Sequence, residues 1–331
     1  MDREILHIIT KTVATVLLML CCLTAAAQND AQLTQYWEVP SLYNPAATGT
    51  TDYLRIRGAA RLQWVGIKNA PKTFSAVAES PLQIGKKRIG LGVNLGQESL
   101  GLFSNFNANL QASYKLRIFK GELGIGVQVG LLNQKFEGSK VVIPDGDDYH
   151  QSTDEAIPDQ DMSGNSVDLG VGLWYTHKLF YVGAGALHLT NPKVKLSVEG
   201  SESNETQEYQ IETPRMLYFT AGSNIRLKNT LFELMPSVFV KTDLSMFTAE
   251  ATLQARYNRF LRFGVGYRWK DAVSVMVGAD IKNFFIGYAY DYPTSAISKA
   301  SSGSHEVVVG YSLKLNFDGK NRNKHRNIRI M

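Results

Sequence analysis

The chain has 331 residues, a formal net charge of +5 and a hydrophobic content of 44%. That much apolar material can bury a surface, which excludes a mostly disordered chain. Its only cysteines, Cys21 and Cys22, lie in an N-terminal apolar run. A chain that loses this run has no disulfide, no thiolate nucleophile and no cysteine metal ligand.

Residues 1–27 read as a signal peptide. Arg3 and Lys11 make a basic start, Val13–Leu23 is an apolar core too short to span a bilayer, and Ala25-Ala26-Ala27 offers small residues for cleavage before Gln28. Beyond this leader no apolar run approaches the roughly 18 residues of a membrane helix. Residues 28–53 read as an N-terminal non-barrel segment. Asn44-Pro45 is a turn former, and Pro45 cannot donate to a strand ladder. Folded back into the periplasmic mouth as a partial plug, the segment buries Tyr36, Trp37, Leu42 and Tyr43. The alternative is a capping turn on a barrel rim, and the sequence leaves both open.

From residue 54 to 317 one pattern repeats. Phe106, Ala108, Leu110, Ala112, Tyr114, Leu116 and Ile118 alternate with Asn107, Asn109, Gln111, Ser113, Lys115 and Arg117. Successive strand side chains point to opposite faces, so one face is apolar and the other polar or basic. Repetition of this pattern behind a secretory leader predicts an all-β, antiparallel transmembrane β-barrel, apolar outside and wet inside. About fourteen strands are expected: Leu54–Trp64, Thr73–Ser80, Arg88–Glu98, Asn105–Ile118, Glu122–Lys135, Ser166–Thr176, Leu179–Leu189, Arg215–Leu227, Phe232–Lys241, Phe247–Asn258, Leu261–Trp269, Ala272–Ile281, Phe284–Tyr292 and His305–Phe317. Short basic turns follow every second strand, with Lys86 and Lys87, Lys120, Lys178, Lys228, Arg259 and Lys282. The longest loops, Glu137–Asn165, Thr190–Pro214 and Pro293–Ser304, fall at the other end, and the first two are acidic. Outer-membrane barrels have short periplasmic turns and long outer loops. This places both termini in the periplasm. The turns, with a basic tail at 318–331, are then either a docking face for an acidic partner or simply solvated.

Charges on the polar faces are expected in the lumen, because facing lipid is costly. Arg55, Arg57 and Arg61 share the first strand. Lys115, Arg117, Arg256, Arg262 and Arg268 follow on others, with Glu98, Asp168, Glu250, Asp280 and Asp291 as partners. Mutually satisfying ion pairs are one reading of them and an anion-selective pore is another. Gly90, Gly92 and Gly96 sit in a strand that no helix follows, so they read as small lumen-facing residues rather than a phosphate loop. The scattered histidines lack ligand spacing, and Asp145-Gly146-Asp147-Asp148 lacks the register of a calcium loop. No cofactor or metal is therefore expected. No motif singles out a catalytic serine, and the basic tail lacks the aromatic partners that nucleic acid would need. The chain reads as a non-enzyme that binds no nucleic acid.

Two stretches go beyond barrel pattern. One is Gln35-Tyr36 followed by Leu42-Tyr43-Asn44-Pro45-Ala46-Ala47-Thr48-Gly49. The other is Arg61-Leu62-Gln63-Trp64-Val65-Gly66 followed by Ala70-Pro71-Lys72-Thr73. They resemble the opening signature of the PorP/SprF family, outer-membrane proteins of type IX secretion in Bacteroidetes. Leu169–Leu189, Gly266-Tyr267-Arg268, Gly287–Asp291 and His305–Tyr311 extend the resemblance. Ala47-Thr48 departs from it, standing where an aromatic and an alanine are expected. The motif residues it singles out are Tyr43, Asn44, Pro45, Ala46, Gly49, Trp64, Gly66, Pro71 and Lys72. The resemblance implies residence in outer-membrane lipid, no catalysis, and a role in secreting or attaching particular proteins, as in gliding motility. The partners it implies are periplasmic secretion components and a secreted cargo or surface adhesin. A passive or gated solute channel is the rival, and the discriminator is whether residues 28–53 fill the lumen.

Overall fold

The computed structural model describes residues 30–85, 87–141, 160–198, 209–228 and 231–315. The expected leader, the basic tail, Phe317, Lys86 and most acidic residues of the two longest loops lie outside the described residues.

Alternating polarity resolves into fourteen wall strands. They are β1 (Tyr53–Leu62), β2 (Lys72–Ile84), β3 (Lys87–Leu100), β4 (Phe103–Ile118), β5 (Gly121–Glu137), β6 (Asp161–Thr176) and β7 (Phe180–Leu187). Then come β8 (Met216–Ser223), β9 (Phe232–Thr242), β10 (Phe247–Tyr257), β11 (Leu261–Arg268), β12 (Ala272–Ile281), β13 (Phe284–Pro293) and β14 (Ser304–Lys314). Each pairs antiparallel with the next, and β14 returns to β1 from Tyr53↔Lys314 to Leu62↔His305. The sheet is thus a closed barrel with no free edge, as hydrocarbon demands of strands, because no water is there to satisfy an open one.

The two faces obey the sequence pattern. On β12, Val273, Val275 and Val277 are exposed while Ser274 is fully buried. On β5, Ile125, Val127, Val129 and Leu131 point out, while Glu122, Gln128 and Gln134 are buried. A continuous apolar outer belt around a polar interior is stable only with lipid outside. The tight turns use left-handed backbone: φ is 46° at Phe119 and 62° at Lys120, and 47° at Asn258 and 57° at Arg259. Two successive positive φ values match the right-handed twist of the strands they join.

The structure departs from the expected elements at the long-loop end. β6 begins at Asp161, well before Ser166, and β5 runs on to Glu137. The expected loop Thr190–Pro214 contains a hairpin, Lys193–Val198 with Tyr209–Glu212. It joins β6 through Met162↔Val198 and Ser163↔Ser197. Val194 and Leu196 bury against Leu132 and Met162. Those apolar contacts seat the hairpin on the long-loop ends of β5 and β6. β8 stops at Ser223, a short piece Ile225–Arg226 continuing it against β9, and β14 ends at Lys314 rather than Phe317.

Candidate functional site

The N-terminal segment meets inward-facing side chains of the wall. Three short 3-10 turns, Tyr36–Glu38, Pro40–Leu42 and Pro45–Ala47, fold it compactly. Asn44 caps the third: its side-chain oxygen accepts from the Ala46 N–H at 2.9 Å, and its Nδ2 donates to the Leu173 carbonyl at 2.9 Å. Pro45 at the first helical position spends no donor that the turn would need. Tyr36, Trp37 and Tyr43 are buried, and Leu42 is half-buried against the same clusters. Tyr36 stacks on Phe239, Tyr43 packs edge-on against the same ring, and the Tyr36 hydroxyl meets Ser237 Oγ at 2.8 Å.

The segment is not confined to the end where β1 begins. Near that end Thr48 Oγ1 donates to Gln111 Oε1 at 2.6 Å, and Lys115 Nζ donates to the Ala46 carbonyl at 2.5 Å. In the middle, Asn94 Nδ2 and Gln111 Nε2 both donate to the Ser41 carbonyl. Toward the long loops, Glu306 accepts the N–H groups of Thr34 and Gln35 at 2.7 and 2.8 Å. Farthest of all, Asp30 meets His188, Tyr218 and Lys241.

Inward glycines form the seat. A Cβ on Gly126 would stand 2.2 Å from the Ala46 nitrogen, and on Gly185 2.4 Å from the Tyr43 carbonyl. On Gly172 it would stand 2.0 Å from Asn44 Oδ1, and on Gly90 2.1 Å from the Thr48 carbonyl. Of these, the sequence singles out Gly90 alone as a small lumen-facing residue. Backbone packed against them is the physical reason they are small. Their grouping on β3, β5, β6 and β7, opposite the Asn-Pro-Ala turn, was the signal available and unused.

The expected lumen charges fall into three groups and a remainder. Glu38, from the segment, is the hub of the first. It accepts Arg57 Nε at 3.1 Å and Arg262 Nη1 at 2.5 Å, with Arg55 Nη2 at 3.8 Å. Burial raises the pKa of this carboxyl, but the three guanidinium groups outweigh it and hold Glu38 well below the usual range. Arg55 also reaches Glu79 at 3.0 Å, and Arg262 reaches Asp280 at 2.6 Å. The second group joins Arg61 to Asp291 at 2.6 Å and Glu306 at 3.1 Å, and Arg268 to Glu250 at 2.9 Å. The third is Asp168–His188–Asp30, with both His188 contacts at 3.1 Å. Burial disfavours charged imidazole, yet the two carboxylates push His188 up to about 10. Arg256 pairs with Glu233. Lys115 differs from an ion-pair member, since it serves Ala46 and Thr50 oxygens. Arg117 is exposed at the rim, opposite Glu122. Among the described residues no cluster could hold a metal ion.

The motif residues separate into two places. Tyr43, Asn44, Pro45, Ala46 and Gly49 lie inside, Gly49 at φ +64° with its Cα face against Gly90. Trp64, Gly66, Pro71 and Lys72 lie in or beside the β1–β2 loop. There Trp64 N–H donates to Ser304 Oγ at 3.1 Å, and Val65 N–H to the Gly303 carbonyl at 2.8 Å. The second motif therefore ties down the loops that flank the β14–β1 seam.

The model of the family described as "Type IX secretion system membrane protein PorP/SprF" matches residues 25–311. No curated protein matches the chain significantly. Among solved structures, the Ralstonia pickettii toluene transporter TbuX is similar at TM-score 0.50 and 12% identity, covering 83% of this chain and 93% of that one. A Pseudomonas aeruginosa FadL homologue has TM-score 0.45 and 10% identity, with 82% and 93% covered. The translocator domain of the Neisseria meningitidis autotransporter NalP has TM-score 0.41 and 13% identity, with 80% and 87% covered. At 12% identity the likeness to TbuX speaks for an outer-membrane barrel fold and nothing finer.

Proposed function

The chain belongs to the PorP/SprF family of type IX secretion system membrane proteins, and on that premise we propose that it is a non-enzymatic outer-membrane scaffold of secretion whose lumen is stoppered by its own residues 28–53. The long-loop end faces outward and supports the secretion or surface attachment of a cargo such as an adhesin. The basic turns and the 318–331 tail face the periplasm and engage the secretion machinery.

One observation carries the stoppered reading. Residues 30–48 hydrogen-bond to side chains on β1, β3, β4, β9, β10, β13 and β14. A solute conduit is poorly served by charges already spent on one another and on this segment. A scaffold needs only a rigid body with two different end faces. Support for the sidedness is the alternation of short and long connections. An exposed basic face docks an acidic partner at short range, because free charges are screened beyond roughly 8–10 Å.

The test is a pull-down from detergent-solubilised outer membrane, with full-length protein compared against deletion of Gly319–Met331. Normal barrel abundance with less cargo at the surface and less periplasmic partner recovered is expected. Equal secretion and recovery would reject the docking role. Steady ion conductance by the purified full-length barrel in a planar bilayer would reject the stopper in favour of a channel.

A further inference from the structure

The apolar belt is recessed over β7–β12, where a groove of about 680 Å³ is lined almost wholly by apolar groups. One row of cross-strand partners follows it: Val182, Ala221, Val238, Ala251, Tyr267 and Val273. Ala221, Ser223, Pro236 and Ala251 supply small outward side chains between the larger Val182, Val238, Leu253 and Tyr267. On a convex belt an acyl chain touches the wall along one side only. In a recess its flanks are touched as well, and dispersion contacts, each tiny, add up.

Length and slope fit one such chain. Strand spacing is about 4.8 Å, so the row from β7 to β12 is about 24 Å long. It crosses strands that tilt about 35–45° from the membrane normal, and therefore climbs at about 45–55° to that normal. Its rise is then about 15 Å, about half of a hydrocarbon core about 30 Å thick. Val182 lies near the start of β7, so the row begins beside the short turns and climbs away from them. A chain held there belongs to the leaflet at the short-turn end.

Charge marks the place of the headgroup. Lys178, in the turn before β7, and Lys228, in the turn after β8, are exposed at the low end of the groove. Neither forms an ion pair among the described residues. Glu233, on the neighbouring β9, is already paired with Arg226 and Arg256. Uncommitted ammonium groups at the edge of an apolar belt suit a phosphate, which lysine binds as a point charge.

We propose that this groove is a site for one anionic phospholipid, its acyl chain lying across β8–β11 and its phosphate at Lys178 and Lys228. The site rests on the barrel wall alone, and its failure would leave the secretion reading intact.

The experiment uses the purified full-length barrel, delipidated in detergent, and native mass spectrometry. Dipalmitoyl phosphatidylglycerol is titrated against dipalmitoyl phosphatidylcholine, which has the same chains and no net charge. The first phosphatidylglycerol is expected to bind at least tenfold more tightly than any later one. Ala221→Phe with Ala251→Phe fills the groove and is expected to remove that first step, whereas Ala112→Phe, on the outer face of β4, keeps it. Lys178→Gln with Lys228→Gln is expected to bring phosphatidylglycerol down to the level of phosphatidylcholine. In parallel, a phosphatidylglycerol with a photoreactive diazirine on its chain is cross-linked to the wild type, and peptide masses are expected to place the adducts on β8–β11. That measurement needs no variant and decides the matter if the filled barrel loses its heat-modifiable migration. Graded binding with no tighter first step, adducts spread evenly around the wall, or a first step unchanged in the groove-filling or the lysine variant would each overturn the proposal. So would a dimer mass that the groove-filling variant loses, since the groove would then belong to a second copy.

Discussion

Arg57 Nε on β1 donates to Glu38 Oε2 of the lumen segment at 3.1 Å, with both side chains almost wholly buried. Arg55 and Arg262 converge on the same carboxylate from either side. One acidic residue of the segment therefore neutralises arginines from strands far apart in the chain, and the barrel and its content are electrostatically a single unit.

Removing that carboxylate should be severe. Breaking a buried pair strands its partners, at a cost of about 3–5 kcal/mol, and here three guanidinium groups are affected. Glu38→Gln is expected to lower the temperature at which the barrel loses its heat-modifiable migration. It should also give anion-preferring conductance where wild type gives none. A variant with wild-type migration and no conductance would show that the arginines find other partners.

The glycine seat gives a steric test that leaves charge untouched. Gly185→Val places side-chain atoms against the Tyr43 carbonyl, which is backbone and cannot move aside. Protease cutting within residues 30–50 should rise at least tenfold while the wall stays folded. Gly264→Ala is the control, because its Cβ would meet the flexible Gln254 side chain at 3.0 Å. If both variants resist protease like wild type, the segment is not held by close packing.

The Asp30–His188 contact sets a pH window. The His188 pKa is raised from 6.5 to about 10, so its contribution is full below 6.5 and is lost as pH rises through about 10. Burial acts to raise the pKa of Asp30, but His188, Tyr218 and Lys241 outweigh it and lower it. Its contribution is present above the ordinary carboxylate range and is lost in strong acid. Hydrogen exchange of residues 30–35 is expected to be slow from about pH 5 to 9 and to accelerate above that. His188→Asn should abolish the alkaline step. An unchanged step in that variant would assign it to another group.

Sidedness can be read with single cysteines, since residues 28–331 contain none. Lys299→Cys, in the β13–β14 loop, should react with an impermeant maleimide on whole cells. Asn283→Cys, in the β12–β13 turn, should react only after the outer membrane is opened. Both positions are exposed. The reverse pattern would invert the proposed topology.

The sequence by itself determined the wall. Strand polarity has a period of two, and lipid outside with water or charge inside makes each face unambiguous, so all fourteen strands and the alternation of short and long connections were legible. Residues such as Val275 and Ser274 needed no partner to declare their side. Only the tertiary structure decided which wall residues the N-terminal segment meets. The path of residues 30–50 has no periodicity, and it depends on contacts such as Thr34 with Glu306 and Ala46 with Lys115, which lie 272 and 69 residues apart. The hairpin at Lys193–Val198 was hidden for the same reason: Val194 and Leu196 read as loop until β5 and β6 supply the surface that buries them. Local pattern fixes which face a strand shows to its solvent, whereas the position of an aperiodic segment is set by long-range packing that only the closed barrel creates.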